Sequence, residues 1–507
     1  MTHAILVRGL RKVAPVGYYT GKIVLLLAGT MLIPLATAAL RGEFAILLDF
    51  LAAGGITVTA GLGLILLCRS GERDLAWSQG MVVVAASWLA CMMLGALPYY
   101  FSGFWLSYLD TMFDVMSGLT TTGLTLIQDL DHAPDAINMW RHFLTWLGGQ
   151  GIVVLALSFL IRSHPGAYKM YVGEGKDERL LPNVVSTAKA IWYVSGLYLL
   201  AGTLVLGFLG LAIGLAPVRS FLHGLWIFMS TWSTGGFAPQ NQSILYYHSL
   251  VYEIVTVVFF IIGSFNFNLH WAVWTGNRKE IYRNLETVTF AATSTALAML
   301  ALWELARLGA YGGAVSLFRR GYYSLISAHT TTGFMNTYAR QFALEWGPLA
   351  LIAITVAMLF GGSASSTAGG FKAVRIGIAF KAVAQEIKRL LAPERAVVVG
   401  RFHMGRDIIL EDKHVRSALT VIFLYVLAWF LTAAVTAACG YDLTSAMFEA
   451  ASAVGNVGLS AGVTSAAMPG ALKVVYILAM WVGRLEFMAV FVLIGYFARG
   501  VQRLVQK

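Results

Sequence analysis

Apolar runs close to the length of a membrane span recur along the whole chain. A helix needs about twenty mostly apolar residues to cross the roughly 30 Å hydrocarbon core of a bilayer. The runs lie at residues 23–40, 45–68, 77–97, 152–161, 190–215, 251–262, 288–302, 349–360, 418–438 and 474–497. Only 12% of the 507 residues are charged and 58% are hydrophobic, whereas a soluble globular protein carries about 25% charged residues. The sequence therefore predicts an all-α polytopic membrane protein.

The distribution of positive charge predicts the side of the membrane on which each connection lies. The chain has 36 Lys and Arg residues and a formal net charge of +11. If residues 1–22 are cytoplasmic and each run crosses once, 25 of those 36 basic residues fall on the cytoplasmic side. This positive-inside bias predicts cytoplasmic termini, and it explains the net charge without a nucleic-acid partner. No cleavage site follows the first run, which is therefore predicted to be a retained span.

A short polar phrase occurs twice between the apolar runs, and two related phrases make a set of four. Residues 120–125 read TTTGLT and residues 330–334 read TTTGF, while STWSTGGF at 230–237 and SAVGNVGLS at 452–460 are more divergent. The phrases are aligned on Gly123, Gly235, Gly333 and Gly458. A long run and a semi-apolar piece of roughly ten residues, too short to span, precede each phrase. Another run follows, with a glycine motif 25 to 29 residues after the phrase glycine.

Other positions repeat in the same register. Ser117, Ser327 and Ser452 each stand six residues before the phrase glycine, and Asp114 and Glu449 stand nine residues before it. The predicted unit is a span, a half-helix, a polar loop and a second span. The predicted domains are a two-helix extension (1–75), repeat 1 (76–162), repeat 2 (185–276), repeat 3 (284–390), a cytoplasmic connection (391–416), and repeat 4 with the C-terminal tail (417–507).

Four such loops around one axis suggest a chemical role. Non-helical backbone persists at membrane depth only inside protein or beside a wet cavity. Backbone carbonyls that point at a common axis can replace the hydration shell of a cation, as in carbonyl selectivity filters. Glycine permits the unusual backbone angles, and the carboxyl end of each half-helix favours a cation. Packed Ser/Thr-rich loops would explain one phrase, but four copies in register favour one central pore.

Together these motifs resemble those of the Trk/Ktr/HKT superfamily of potassium transporters. The resemblance covers about residues 75–500 and includes GGSASSTAGGFKAVR at 361–375 and VGRLEF at 482–487. The two extra N-terminal spans are similar to the Trk-type branch, as in TrkH-like membrane subunits. The resemblance implies that K⁺ is the transported ion and that no cofactor is bound directly. It also implies a homodimer surrounded by membrane lipid in the bacterial cytoplasmic (inner) membrane, with a TrkA-like nucleotide-binding regulatory subunit on the cytoplasmic side.

The resemblance also implies which residues bind potassium in the filter. Glycine at position 123 argues for potassium, because serine there goes with sodium transport in this superfamily. The second phrase departs from the family, since it reads Ser-Thr-Gly-Gly where Asn-Ala-Gly is frequent. The implied potassium ligands are Thr121, Thr122, Gly123, Ser233, Thr234, Gly235, Thr331, Thr332, Gly333, Asn456, Val457 and Gly458.

A gate is expected below the filter. Residues 360–370 contain four glycines and four hydroxyl residues, so they cannot propagate a stable apolar helix. They also lack the spacing of a phosphate-binding P-loop. A bend packed against protein is the alternative to the moving intramembrane loop that the resemblance implies. The expected gate residues are Gly361, Gly362, Ser363, Ser366, Thr367, Gly369, Gly370 and Arg484.

Arg484 interrupts an apolar run, where a charge is costly and should face a cavity or a partner. The resemblance places its guanidinium in the pore below the filter, and a tie to a neighbouring carbonyl or carboxylate is the alternative. Glu486, two residues later, is expected on a different side of the same helix.

The leading functional interpretation is potassium uptake through a gated, channel-like pore with a four-loop filter. The alternative is a sodium-permeable pore or an ion-coupled secondary cation transporter, such as a symporter. Secondary transporters favour inverted repeats, whereas the four copies here run in the same sense. The sequence has no HExxH and no paired intramembrane aspartates in matching spans, so an enzyme is not expected.

Overall fold

The computed structural model describes residues 2–69, 75–151, 154, 170, 184–393 and 396–505, and these residues are mostly helical. In this part of the chain, six helices are long and apolar enough to cross a membrane. Two further pairs of helices would qualify together, but each is sharply bent at a short break. The prediction of a mostly helical chain with many apolar spans is confirmed. The predicted run at 152–161 lies, except for Val154, outside the described residues.

The N-terminal extension forms three helices, α1 (Thr2–Thr30), α2 (Leu32–Arg41) and α3 (Phe44–Leu67). Helix α2 ends at Arg41 and is capped by Gly42, whose left-handed φ of 72° lets its N–H bond back to carbonyls of the helix. Helices α1 and α3 cross closely, since a β-carbon on Gly21 would lie 2.9 Å from the carbonyl oxygen of Gly61. Small residues allow such close approach between helices in an apolar environment, where van der Waals packing stabilises the pair.

The rest of the chain alternates long and short helices. The first group is α4 (Trp77–Gly95), α5 (Leu97–Ser102), α6 (Tyr108–Leu119), α7 (Asp135–Gln150), α8 (Val184–Ala212), α9 (Pro217–Trp232), α10 (Leu250–Gly263) and α11 (Phe267–Trp274). The second group is α12 (Glu280–Arg283), α13 (Leu285–Arg307), α14 (Ala314–Leu317), α15 (Tyr323–His329), α16 (Ala339–Glu345), α17 (Gly347–Phe360), α18 (Ala373–Leu391), α19 (Asp412–Ala438), α20 (Leu443–Gly455), α21 (Gly470–Arg484) and α22 (Met488–Val505). A 3₁₀ turn covers Ser243–Tyr247, and a π-turn covers Phe318–Tyr322.

Four of these helices, α6, α9, α15 and α20, end deep inside the protein. They contain between 7 and 16 residues, and even the longest reaches only about 24 Å at roughly 1.5 Å per residue. Their starts have local causes: Ser107 and Asp442 cap α6 and α20 by accepting backbone N–H bonds, and Pro217 opens α9. Helix α22 packs against α4, and α21 packs against α6. The late and early parts of the chain therefore adjoin.

The predicted run at 474–497 is not one straight span. Helix α21 ends at Arg484, α22 begins at Met488, and the two are bent by 111°. Glu486 (φ 50°) and Phe487 (φ 69°) take the left-handed conformation in the break. The expectation that Arg484 and Glu486 share a helix was therefore wrong, because Glu486 lies in the break and bonds to a partner of its own. Helices α10 and α11 show a similar bend of 99°.

The connection between α18 and α19 contains an antiparallel hairpin, which the sequence analysis did not predict. Its strands are β1 (Arg401–Met404) and β2 (Arg406–Ile409), joined at Gly405. The imidazole of His403 bonds to Asp407 (2.6 Å) and to Glu280 (3.1 Å) of α12. Hydrogen bonds to the carboxylates of Asp407 and Glu280 raise the pKa of His403 above its ordinary value of 6.5. The hairpin is thus tied to the segment that leads into α13.

Candidate ion-binding site

Each of the four short buried helices ends in a turn with the same backbone geometry. In every turn, two positions separated by one residue have a left-handed φ. The first positions are Thr121 (56°), Thr234 (49°), Thr331 (56°) and Asn456 (55°). The second positions are Gly123 (89°), Gly236 (67°), Gly333 (79°) and Gly458 (97°). Non-glycine residues rarely adopt this region, so four occurrences in register identify one turn in four copies: turn 1 (120–123), turn 2 (233–236), turn 3 (330–333) and turn 4 (455–458).

Backbone hydrogen bonds fix the register of the four turns. In each turn, the N–H of the residue between the two left-handed positions donates to the carbonyl of a serine five residues earlier. The pairs are Thr122 with Ser117 (2.8 Å), Gly235 with Ser230 (2.8 Å), Thr332 with Ser327 (2.8 Å) and Val457 with Ser452 (2.9 Å). The serine therefore precedes the left-handed glycine by six residues in all four turns.

This register corrects the alignment of the second phrase by one residue. The sequence alignment matched Gly235 with Gly123, whereas the backbone matches Gly236 with Gly123 and places Gly235 at the position of Thr122. Ser-Thr-Gly-Gly offers two adjacent glycines, and only the second has the left-handed φ. Ser233 directly follows the last residue of α9, and its hydroxyl donates back to the carbonyl oxygen of Met229 in that helix (2.7 Å).

The four turns touch one another in a closed cycle. A β-carbon built on each left-handed glycine would run into a carbonyl oxygen of the next turn. The pairs are Gly123 with Gly235 (2.6 Å), Gly236 with Thr332, Gly333 with Val457, and Gly458 with Thr122. Turn 1 thus meets turn 2, turn 2 meets turn 3, turn 3 meets turn 4, and turn 4 meets turn 1. Glycine is required both for its φ and because no side chain fits between neighbouring turns.

Polar side chains link the turns internally and to one another. The hydroxyls of Thr120 and Thr122 lie 2.7 Å apart, and those of Thr330 and Thr332 lie 2.8 Å apart. The Asn456 amide donates from turn 4 to Thr122 Oγ1 in turn 1 (3.1 Å) and to a carbonyl of α21 (2.9 Å). All five side chains are buried. The structure therefore brings the sequence-selected residues of all four phrases together.

A non-helical loop at residues 361–372, between α17 and α18, is hydrogen-bonded to turns 2 and 3 and also approaches Gly455 of turn 4. Thr367 Oγ1 lies 3.0 Å from the carbonyl oxygen of Trp232, the last residue of α9, and 3.3 Å from Thr234 Oγ1 in turn 2. The Gly369 N–H donates to Thr331 Oγ1 in turn 3 (2.7 Å). These bonds hold the loop beside the cycle of turns.

The loop closes on itself. Gly361 (φ 73°) and Gly370 (φ 72°) are left-handed at its two ends. The Phe371 N–H donates to the carbonyl oxygen of Leu359 (2.8 Å), so the entry and the exit of the loop adjoin. Within the loop, the Ser366 hydroxyl donates to another loop carbonyl (2.6 Å). The segment is therefore a compact, buried loop whose two ends adjoin, and it contains the sequence-selected residues from Gly361 to Gly370.

Arg484, at the end of α21, ties this loop to α7. Its Nη1 donates to the carbonyl oxygen of Thr367 (2.6 Å), and its Nη2 donates to that of Gly148 (2.6 Å) and reaches that of Gly149 (3.4 Å). The carbonyl ties that the sequence left as an alternative are therefore present. The guanidinium of Arg484 therefore connects the loop, the end of α7 and the break after α21.

Two acidic residues hold the loop and its exit, and the sequence analysis did not select them. Glu486 forms an ion pair with Arg375, which also donates to the carbonyl oxygen of Phe371 (3.0 Å). Glu286 accepts a bond from the Ala364 N–H (2.6 Å). A signal for Glu486 and Arg375 was present, because charges within apolar runs usually have partners. The packing of α13 against the loop, which brings Glu286 there, has no local sequence signal.

Comparison with known proteins gives one consistent result. The family model for TrkH, described as a cation transport protein, matches residues 47–496. An uncharacterized cation transporter of Methanocaldococcus jannaschii is 33% identical over 445 residues, which is 88% of each protein. The Trk system potassium uptake protein TrkH of Halomonas elongata is 31% identical over 456 residues, 88% of this chain and 90% of the relative.

The chain belongs to the TrkH family of cation transport proteins. The family resemblance predicted from the sequence is confirmed, and the family is one of transporters rather than enzymes. The crystal structure of the potassium transporter TrkH from Vibrio parahaemolyticus is similar to this TrkH-family chain, with a TM-score of 0.80 and 28% identity. That similarity covers 95% of this chain and 98% of the other.

In this TrkH-family chain, the atoms at the cycle of turns are neutral oxygens. Within the described residues, no group of three or more His, Cys, Asp or Glu side chains could hold a metal ion. The turns instead bring together backbone carbonyls and the hydroxyls of threonine residues. Oxygens of these kinds replace the hydration shell of alkali cations in selectivity filters.

Proposed function

We propose that this chain takes up potassium across the bacterial cytoplasmic membrane, through a pore whose selective part is the cycle of four turns. The observation that carries the proposal is the closed contact from turn 1 through turns 2, 3 and 4 back to turn 1. Relatives named as potassium uptake proteins, and a solved relative named as a potassium transporter, support the choice of ion.

In this proposal the turns act as a carbonyl filter. Carbonyl oxygens from the four turns face a common axis and take the place of water around K⁺. The four half-helices direct their carboxyl ends, each with a partial negative charge, at the same place. Glycine at position 123 leaves room for the larger ion. The coordinating segments are 121–123, 234–236, 331–333 and 456–458, and the corrected register supports Gly236 instead of Ser233 in the second.

The loop at 361–372 acts as the gate in this proposal. It is bonded to turns 2 and 3, and its carbonyl at Thr367 holds the guanidinium of Arg484. A positive charge close to the filter opposes cation passage in a low-dielectric interior. Opening then requires the loop to leave its bonds at Thr367 and Gly369, and Arg484 to lose its loop partner.

The arrangement around the pore follows from the same proposal. Residues 76–162, 185–276, 284–390 and 417–507 form four tandem span, pore-loop and span repeats, with residues 1–75 outside them. The packing of α22 against α4 supports this closure. Both termini and the hairpin connection face the cytoplasm, where a TrkA-like nucleotide-binding subunit docks on a homodimer of this chain. That partner is proposed because several relatives are named as components of a Trk system.

Uptake of rubidium and sodium into liposomes tests the filter. Wild-type protein should admit rubidium well and sodium poorly, and Gly123→Ser should lose that preference, because the new side chain meets the carbonyl oxygen of Gly235. Gly103→Ser is the matched control, since Gly103 also has a positive φ (75°) but open space around it. Absence of rubidium flux in wild type, or equal discrimination in Gly123→Ser, would refute the filter assignment.

A further inference from the structure

Two buried carboxylates lie behind the cycle of turns, one in the first half-helix and one in the fourth. Asp114 in α6 and Glu449 in α20 stand nine residues before the left-handed glycine, and both are 0% exposed. In the corrected register, the same position is Ile227 in the second half-helix and Ser324 in the third. Only the half-helices that lead to turns 1 and 4 therefore carry an acidic residue at this position, and turns 1 and 4 are neighbours in the cycle.

Asp114 anchors the chain directly after turn 1. Its Oδ2 accepts the hydroxyl of Thr125 (2.5 Å), and its Oδ1 accepts the N–H of Leu126 (2.7 Å). These residues are two and three positions beyond Gly123. Both bonds run from a donor to the carboxylate, which suits the ionised form, because an ionised carboxylate only accepts. Charge-assisted bonds of this kind are roughly twice as strong as neutral ones.

Glu449 anchors the chain after turn 4 with more contacts. Its Oε1 accepts the hydroxyl of Ser460 (2.5 Å) and the N–H groups of Ala461 (3.2 Å), Val463 (2.9 Å) and Thr464 (3.1 Å). Its Oε2 accepts the Thr464 hydroxyl (3.1 Å). The chain from two to six residues beyond the turn glycine is thus wrapped around one carboxylate.

Different groups hold the chain after turns 2 and 3. Behind turn 2, Arg141 of α7 donates to the carbonyl oxygen of Ala238 (3.1 Å), and its guanidinium lies 4.4 Å from the ring centre of Phe237. Behind turn 3, the Ser324 hydroxyl reaches the Asn336 side chain at 3.4 Å. Turns 1 and 4 are therefore braced by buried carboxylates. Turns 2 and 3 are braced by a cation, by neutral groups and, at Asn241, by the exposed carboxylate of Asp131 (2.9 Å).

We infer that Asp114 and Glu449 are positioning residues. They set the ion discrimination of the cycle by fixing the backbone that directly follows turns 1 and 4. The inference rests on the proposed filter function. The direction of each filter carbonyl depends on the backbone on both sides of the turn glycine. The half-helix fixes the backbone before each turn, and in turns 1 and 4 the carboxylate fixes the backbone after it.

The test measures the ratio of rubidium to sodium uptake in liposomes for Asp114→Asn and Glu449→Gln. Each change keeps the size of the side chain and removes its charge. One acceptor oxygen becomes an NH₂ donor, which the hydroxyl of Thr125 or Thr464 can accept from, so the bonds that remain are neutral and no longer charge-assisted. We expect the ratio to fall about tenfold in each variant. A merely structural role lowers the fraction of working protein and reduces both fluxes equally, which leaves the ratio unchanged. The matched control is Asp442→Asn. Asp442 is the N-cap of α20, the helix that contains Glu449, and asparagine caps a helix about as well as aspartate.

Each outcome separates this inference from the filter proposal. A wild-type ratio in both variants, while Gly123→Ser loses discrimination, overturns the positioning role and leaves the filter intact. Equal discrimination in wild type and Gly123→Ser refutes the filter itself. If the neutral variants do not insert, Thr125→Val and Ser460→Ala each remove one donor to Asp114 or Glu449. They should lower the ratio about threefold, and an unchanged ratio in both overturns the inference.

Discussion

Removal of Arg484 should open the pore, and the structure gives the size of the effect. Its guanidinium makes two bonds of 2.6 Å, one to the loop at Thr367 and one to α7 at Gly148. Only the bond to Thr367 restrains the loop. A hydrogen bond to a charged group contributes about 1.5–3 kcal/mol, and each 1.4 kcal/mol is about a factor of ten in an equilibrium. Arg484→Ala should therefore shift the loop equilibrium toward opening by roughly ten- to a hundredfold.

The assay is the initial rate of rubidium uptake per molecule of reconstituted protein. Arg484→Ala should raise that rate at least about tenfold, up to the limit set by the filter. Arg484→Lys keeps the charge but replaces a planar fork by a single ammonium group, so its rate should fall between those of Ala and wild type. Arg499→Ala, an exposed arginine on α22, is the control and should behave as wild type.

Arg484 does not restrain the loop if Arg484→Ala inserts as a monodisperse protein and transports rubidium at the wild-type rate. Equal rates for the Ala and Lys variants would show that the bond geometry matters and the charge does not. Equal rates for Lys and wild type would assign the barrier to the charge alone.

The remaining predictions concern the register, the loop and the hairpin. Gly236→Ala should abolish the preference for rubidium, whereas Gly235→Ala should only weaken it. Only Gly236 is left-handed and faces a carbonyl of turn 3, and the ratio of rubidium to sodium uptake distinguishes the two variants. Thr367→Val should raise rubidium uptake about threefold to tenfold, since it removes a hydroxyl bond that holds the loop. The pKa of His403 is raised by its bonds to Asp407 within the hairpin and to Glu280 of α12. The contribution of the charged imidazole to docking on Glu280 is therefore fully present below the ordinary value of 6.5 and is lost as pH rises through the raised pKa. Exchange of the Gly405 amide, which also donates to Glu280 (2.8 Å), should report it.

Each of these predictions has a contrary result. Greater damage from Gly235→Ala than from Gly236→Ala would restore the alignment drawn from the sequence. Slower uptake in Thr367→Val would show that the hydroxyl bond is needed for conduction and does not restrain the loop. Exchange at Gly405 that follows only the intrinsic pH dependence, or that is the same in His403→Gln, would remove the role of the imidazole.

The sequence was sufficient to predict the helical class and the residues that meet at the turns. Apolar runs of this length predict helices, because a helix satisfies its backbone hydrogen bonds within the segment and lipid offers no partners for them. The phrases report the turns because glycine at a fixed interval from a serine reflects a local backbone requirement, and that requirement is met at Gly123, Gly333 and Gly458. Features that have a local physical cause could therefore be predicted from the sequence.

The features that were not predicted depend on partners far along the chain. The choice between Gly235 and Gly236 is an exception, because Ser230 stands six residues before Gly236 and the same interval holds in the other three turns. The break after Arg484 places two charges on separate partners from α7 and α18. Asp114 and Glu449 were noticed as a repeated position, but the segments that they hold became visible only in the fold.

The most direct test of the central claim is the position of a bound cation. A structure of the reconstituted or crystallised protein soaked in rubidium, with anomalous scattering recorded at the rubidium edge, locates that ion without reference to flux. If the four turns form the filter, an anomalous peak should lie on their common axis. It should be surrounded by carbonyl oxygens from residues 121–123, 234–236, 331–333 and 456–458. A map with no peak among the turns, and with rubidium bound at another place in the protein, would contradict the filter assignment.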